Sequence, residues 1–369
     1  MSALLFVTWD GGGNVPPATA LAHELARRGH AVRFLGHPSQ ERPLTSQGFA
    51  FVRPRHARAF DATTDYRPLR MLGVLADVGM GRDLLDAVAA EPTDLVVIDS
   101  LMFGALDAAR RAGLRYAVLE HMYAAAYRSG MLGGPMGLNL RLRGLAPARA
   151  LDDAALRLLM TLPQLDPAPA VANLSQVGPL ATWSPRVEAE PTVVVGLSTF
   201  GYPGMAPVLQ RLVDATEGLS ARVLVSTGPT IDPAALRTRP GVEVHRWLAH
   251  GESLPGASVL VTHGGHGSTM AGLAHDLPLL VVPLDGKSDH EVVGRSIERA
   301  GAGRMIGRRA SAGDLRDALR SLLEEPAYAA AAGRLGAAIR GTDAVGDGAT
   351  ALEALSNGAP TPGRPAARP

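Results

Sequence analysis

The order in which apolar runs recur constrains this chain more than any other feature. β-branched stretches of strand length alternate with alanine- and leucine-rich stretches of helical spacing, separated by short turns. ALLFVTW is followed by a glycine turn and ATALAHELARRGH, and AVRFLG is the next strand. Later come DLVVIDS, the helix-like LMFGALDAARRAG and the strand YAVLEH. The second half repeats the scheme with TVVVGLST, APVLQRLVDATEG, ARVLVSTG, VEVHRW, SVLVTHGG, TMAGLAH, LPLLVVP and a helix through 291–301. Such alternation predicts an α/β fold with parallel sheets covered on both faces.

At 369 residues the chain exceeds one ordinary core. Leu162–Pro191 is dense in proline and reads as a linker. A break near Pro185–Pro191 gives two Rossmann-like halves, 1–185 and 186–356, and the tail 357–369 is expected to be disordered. Arg53–Arg82 and His121–Arg149 are less regular and rich in methionine and arginine, which makes them candidate substrate-facing loops.

Thirty-six basic residues nearly cancel thirty-five acidic ones, so nothing in the charge calls for a nucleic-acid partner. Cysteine is absent, which excludes disulfides and thiolate metal sites and suits a reducing compartment. The longest apolar runs are strand-length, so no membrane span is expected, and no secretory pattern opens the chain. The expected location is the cytoplasm.

One stretch carries chemistry. THGGHGST follows the strand SVLV and precedes the helical TMAGLAH, a junction at the carboxyl end of a strand, where α/β proteins bind ligands. Glycines let a backbone approach closely, and a helix start offers unpaired N–H donors. Ser268 and Thr269 can cap that helix or donate to phosphate oxygens. His263 and His266 form no complete zinc set in a loop without cysteine, so no metal is expected. A plain capped turn remains a reading, but an anion cradle is favoured.

The longer run VTHGGHGSTMAGLAHDLPLLVVPLDGKSDHE resembles the donor-binding motif of the nucleotide-sugar glycosyltransferases with two Rossmann domains. More narrowly it is similar to the macrolide and antibiotic glycosyltransferases, in the family that contains the UDP-glucuronosyltransferases. GGNVPPATALAHELARRGHAVRFL also fits that family's opening βαβ unit. The resemblance implies a GT-B fold, two Rossmann-like domains with parallel sheets facing across a cleft. Residues 1–185 would then bind the acceptor and 186–356 the nucleotide sugar. It implies inverting transfer from a dTDP- or UDP-sugar to a small apolar natural-product acceptor, with the nucleotide sugar as co-substrate and no other cofactor. A homodimer is left open.

In that frame His263 contacts a diphosphate oxygen, and Gly265, Gly267 and Ser268 present backbone and hydroxyl donors, with Thr269 beside them. Trp247 matches the position where an aromatic ring stacks on the base; otherwise it is an ordinary half-buried tryptophan. Ser198 and Thr199 match the hydroxyl pair of the first donor loop, and Thr227 and Gly228 line the base pocket.

Two departures stand out. The family's aspartate-glutamine pair, which grips sugar hydroxyls, aligns with Asp289–His290 or with Ser288–Asp289, the first being preferred. The family's catalytic histidine aligns with Asn14, and an amide cannot act as a base. Asp10, Asp99 and His121, all at strand ends, are the candidate bases, and each has a structural alternative as a cap or a satisfied buried group. Rival readings are a catalytically silent nucleotide-sugar-binding auxiliary protein and a nucleotide-sugar 2-epimerase on the same fold.

Overall fold

Strands β4 (Leu95–Asp99) and β5 (Tyr116–Glu120) are buried at every residue, which is why their sequences show unbroken apolar runs instead of alternation. They lie inside a parallel sheet with β1 (Ala3–Val7), β2 (Ala31–Leu35), β3 (Ala50–Val52), β6 (Leu156–Leu159) and β7 (Leu174–Gln176), in the order β3-β2-β1-β4-β5-β6-β7. A second parallel sheet holds β8 (Thr192–Gly196), β9 (Arg222–Ser226), β10 (Val242–His245), β11 (Val259–Thr262), β12 (Leu279–Val281) and β13 (Gly303–Met305), in the order β10-β9-β8-β11-β12-β13. The computed structural model describes residues 1–61, 68–286 and 288–358, with only the backbone of 68 and 69. Most of the tail expected to be disordered, 359–369, therefore lies outside the described residues.

Each sheet reverses its order once, between β1 and β4 and between β8 and β11. Loops leaving neighbouring strands diverge there and leave room at the carboxyl ends for a ligand. Registers are short and in phase: Leu4–Val7 lie beside Leu95–Ile98, and Val259–Val261 beside Val193–Val195.

The chain forms two compact units, one of Met1–Pro163, Pro167–Gly178 and the segment from Asp343 onward, the other of Gln164–Asp166 and Pro179–Thr342. Helix Ala344–Ser356, which the sequence assigned to the second half, thus belongs with the first sheet. The fit is close. A Cβ on Gly348 would stand 2.8 Å from Leu21 and 3.1 Å from Leu158, and His30 Nε2 meets Glu353 at 3.1 Å.

The two stretches read as loops are largely helical among the described residues. Pro68–Leu75 and Val78–Ala90 are α-helices in the first. In the second, a π-helical turn, Tyr127–Leu132, leads to helix Pro135–Leu142. The glycines in the first stretch are contact points. A Cβ on Gly81 would come within 2.7 Å of Gly104 O, so they let Val78–Ala90 pack onto helix Phe103–Arg111. No helix among the described residues is long and apolar enough to cross a membrane.

Candidate functional site

In the second unit the glycine-histidine loop sits where the sequence placed it. β11 ends at Thr262, and helix His266–Ala274 starts four residues later, with Gly265 as N-cap. Its N-cap residue, a glycine, has no side chain with which to cap it. The first-turn amides, those of Gly267 and Ser268 among them, therefore point out of the helix start without an intrahelical acceptor. Thr269 is fully buried, with its hydroxyl unpaired among the described residues, and Ser268 is half-buried. A Cβ on Gly267 would meet nothing within 4 Å, so no neighbouring protein atom demands glycine there.

His263 is held by its neighbours. Gly265 lies against its Cε1–Nε2 edge, 2.5 and 2.6 Å from where a Cβ would be. His290, first residue of helix His290–Arg299, meets it edge-on at 4.6 Å between ring centres. Tyr202, from the loop after β8, lies 5.4 Å from His290 and 6.1 Å from His263. Its hydroxyl is 3.5 Å from His290 Nε2. Burial, reinforced by His290, pushes the His263 imidazole down to about 3; a hydrogen bond to the Leu197 backbone and the charge of Asp285 oppose the shift. Burial likewise takes His290 down to about 4 against the pull of Asp285, whose carboxylate is 3.9 Å from Nδ1. Both rings are neutral at pH 7.

Gly264 closes the turn at φ +93°, and a Cβ there would come 2.9 Å from His290 O. Gly228, at φ +71°, brings the loop after β9 onto Ser198, whose hydroxyl accepts from Phe200 N at 3.1 Å. Thr227 is buried and Thr199 exposed. Trp247 follows β10 and is 63% exposed, which rules out the half-buried core tryptophan. Asp289 is buried as the N-cap residue of its helix, so the pair Asp289–His290 is turned into the protein.

In the first unit Asn14 is 1% exposed and donates Nδ2 to Asp99 Oδ2 at 2.8 Å, Trp9 O at 3.0 Å and Thr8 Oγ1 at 3.2 Å. Asp99 Oδ1 accepts from Leu101 N at 2.9 Å, and His121 Nδ1 is 3.6 Å from Asp99 Oδ2. Asp10 accepts from Ser39 Oγ at 2.7 Å. Elsewhere, His56, Asp83 and Asp86 form one group with metal-ligand spacing. The Asp83 carboxylate already accepts from the amides of Arg55, His56 and Ala57, so it serves as a loop brace.

With this geometry in hand the relatives are informative. Residues 210–353 match the family model described as erythromycin biosynthesis protein CIII-like, C-terminal domain. The 4'-demethylrebeccamycin synthase of Lentzea aerocolonigenes is 26% identical, over 95% of this chain and 99% of its own. Among solved structures, the glycosyltransferase of kitacinnamycin superposes with a TM-score of 0.80 at 23% identity, covering 96% of this chain and 98% of that one. Glycosyltransferase VinC, solved in complex with dTDP, gives 0.74 at 18%, covering 96% and 99%. The chain has the GT-B fold and is a glycosyltransferase, similar to those of the macrolide and antibiotic type.

In this glycosyltransferase the fold brings His263, His290, Gly265 and the start of helix His266–Ala274 together, and it brings Asn14, Asp99 and His121 together. Sequence reasoning missed Tyr202 and Asp285, which border the histidine pair. Their only signal was position: both follow strands flanking β11 in the sheet.

Proposed function

We propose that the protein moves a hexosyl or deoxyhexosyl group from a dTDP- or UDP-sugar to a small apolar natural-product acceptor, with inversion at the anomeric carbon. The observation that carries this reading is the glycine-capped start of helix His266–Ala274 behind His263, at the carboxyl end of β11 beside the switch point. The diphosphate lies against the amides of Gly267 and Ser268, and His263 adds an imidazole contact. As the C–O bond to the leaving group breaks, charge grows on an oxygen that these fixed donors already face. The nucleotide base stacks on Trp247. Because His290 is packed under Tyr202, that pair offers the sugar few hydroxyl contacts, and a deoxysugar suits it. The complex of VinC with dTDP supports the nucleotide class.

Calorimetry with dTDP and UDP tests the reading. Uptake of at least one is expected, with a roughly tenfold loss in His263→Ala, the size of one hydrogen bond of about 1–1.5 kcal/mol. No uptake of either nucleotide, or full affinity in His263→Ala, overturns it. NMR of the product then reports the anomeric configuration.

A further inference from the structure

Asn14 occupies the place where the resemblance puts a base, and its amide has no proton-accepting nitrogen at neutral pH. Asp99 and the carbonyl of Trp9 are acceptors, which fixes the NH₂ end of Asn14 toward them. Asp99 is 3% exposed, its Oδ1 takes the Leu101 amide, and its Oδ2 takes the Asn14 amide. Such a carboxylate is engaged on both oxygens and closed to substrate. Asp10 is engaged by Ser39.

One group remains against Asp99. β5 lies next to β4 with Leu119 opposite Asp99, which places His121 just beyond the strand end on the same edge. Its Nδ1 is buried and faces Asp99 Oδ2 at 3.6 Å, an ion-pair distance slightly long for a hydrogen bond and of the kind that tightens when substrate binds. Glu120, the preceding acid, is spent on Arg157, at 2.5 and 3.1 Å.

We infer that His121 is the general base of this glycosyltransferase and that Asp99, anchored by Asn14, is its positioning carboxylate. With Nδ1–H turned to Asp99, Nε2 carries the lone pair. The acceptor's O–H or N–H gives its proton to Nε2 as the heteroatom bonds to the anomeric carbon. The bond from that carbon to the diphosphate oxygen breaks, and the nucleotide diphosphate leaves with the electron pair. The resulting imidazolium lies beside the Asp99 charge, which stabilises it. This step rests on the transfer reading above.

Two experiments on the full chain test it. The first is ¹⁵N NMR of the histidine side chains, assigned with His121→Gln. It should show neutral His121 as the Nδ1–H tautomer, with Asp99→Asn shifting the signal. An Nε2–H tautomer overturns the inference. The second counts nucleotide release from dTDP-glucose and UDP-glucose, with 2-naphthol or water as acceptor, beside the nucleotide affinity of each variant. His121→Gln should keep that affinity within about twofold and slow release about 10²–10⁴-fold. Added imidazole should restore part of the rate to His121→Gly. Intact affinity with a rate unchanged within about threefold, or no rescue of a folded His121→Gly, overturns it. If the wild type takes up no nucleotide, the transfer reading fails instead, and the tautomer still judges the dyad.

Discussion

His263 and His290 are neutral because they are buried, and that has a measurable consequence. Unfolded, each takes up a proton near pH 6.5. Folded, His290 does so only near about 4 and His263 near about 3. Between those values the unfolded chain binds more protons, so the contribution of these groups to stability is complete above pH 6.5 and is lost as the pH falls. The charged neighbour drawing protons in is Asp285, with Tyr202 on the opposite side. The loss of melting temperature between pH 6.5 and 4 should therefore be smaller in His290→Gln than in the wild type. An equal loss in both would mean that burial does not hold His290 neutral. Trp247 gives an independent check. Its ring is largely in solvent, so Trp247→Ala should shift stability by less than about 0.5 kcal/mol. Losing a base stack should still weaken nucleotide binding by roughly 1–3 kcal/mol. His263 was legible in THGG because glycine and histidine types announce a loop. Tyr202 and Asp285 were not, because their nearness to the pair depends on β8, β11 and β12 being sheet neighbours rather than on spacing along the chain.

At the scale of one turn, two glycines separate architecture from binding. Gly264 holds φ +93° and faces His290 O, so Gly264→Ala should cost at least the 1–2 kcal/mol or so of a left-handed residue and lower the melting temperature. Gly267 lies in the first turn of its helix with open space where a Cβ would go. Gly267→Ala should hold or raise the melting temperature, since alanine gains up to about 1 kcal/mol over glycine in a helix. It should weaken nucleotide binding, because the methyl group enters the space the diphosphate needs. Unchanged affinity in Gly267→Ala would move the phosphate away from this turn. Strand positions were legible for a physical reason: short β-branched runs bounded by turns suit strands covered on both faces better than helices. The helices of 68–90 and 124–142 were harder to read. Glycine lowers helix propensity on its own, and only the approach of a second helix, as at Gly81 and Gly104, rewards it.

At the scale of the whole chain, the last helix has no local mark saying which sheet it will cover. Ala344–Ser356 is amphipathic like its predecessors, and its place in the first unit follows from complementarity with distant residues. Gly348 receives Leu21 and Leu158, Arg115 donates to Leu355 O at 2.8 Å, and Arg28 and His30 both reach Glu353. Leu352, fully buried on this helix, isolates the effect. Leu352→Ala leaves a cavity in the first unit and should cost about 2–5 kcal/mol. That loss should appear as earlier hydrogen exchange in β1, β4 and β5, with protection in β8 and β11 unchanged. Nucleotide affinity should stay at the wild-type value, since every donor assigned to the diphosphate belongs to the other unit. Loss of protection in β11 together with weaker nucleotide binding would mean that the helix supports the donor site as well. Assigning the two units separate roles would then be wrong.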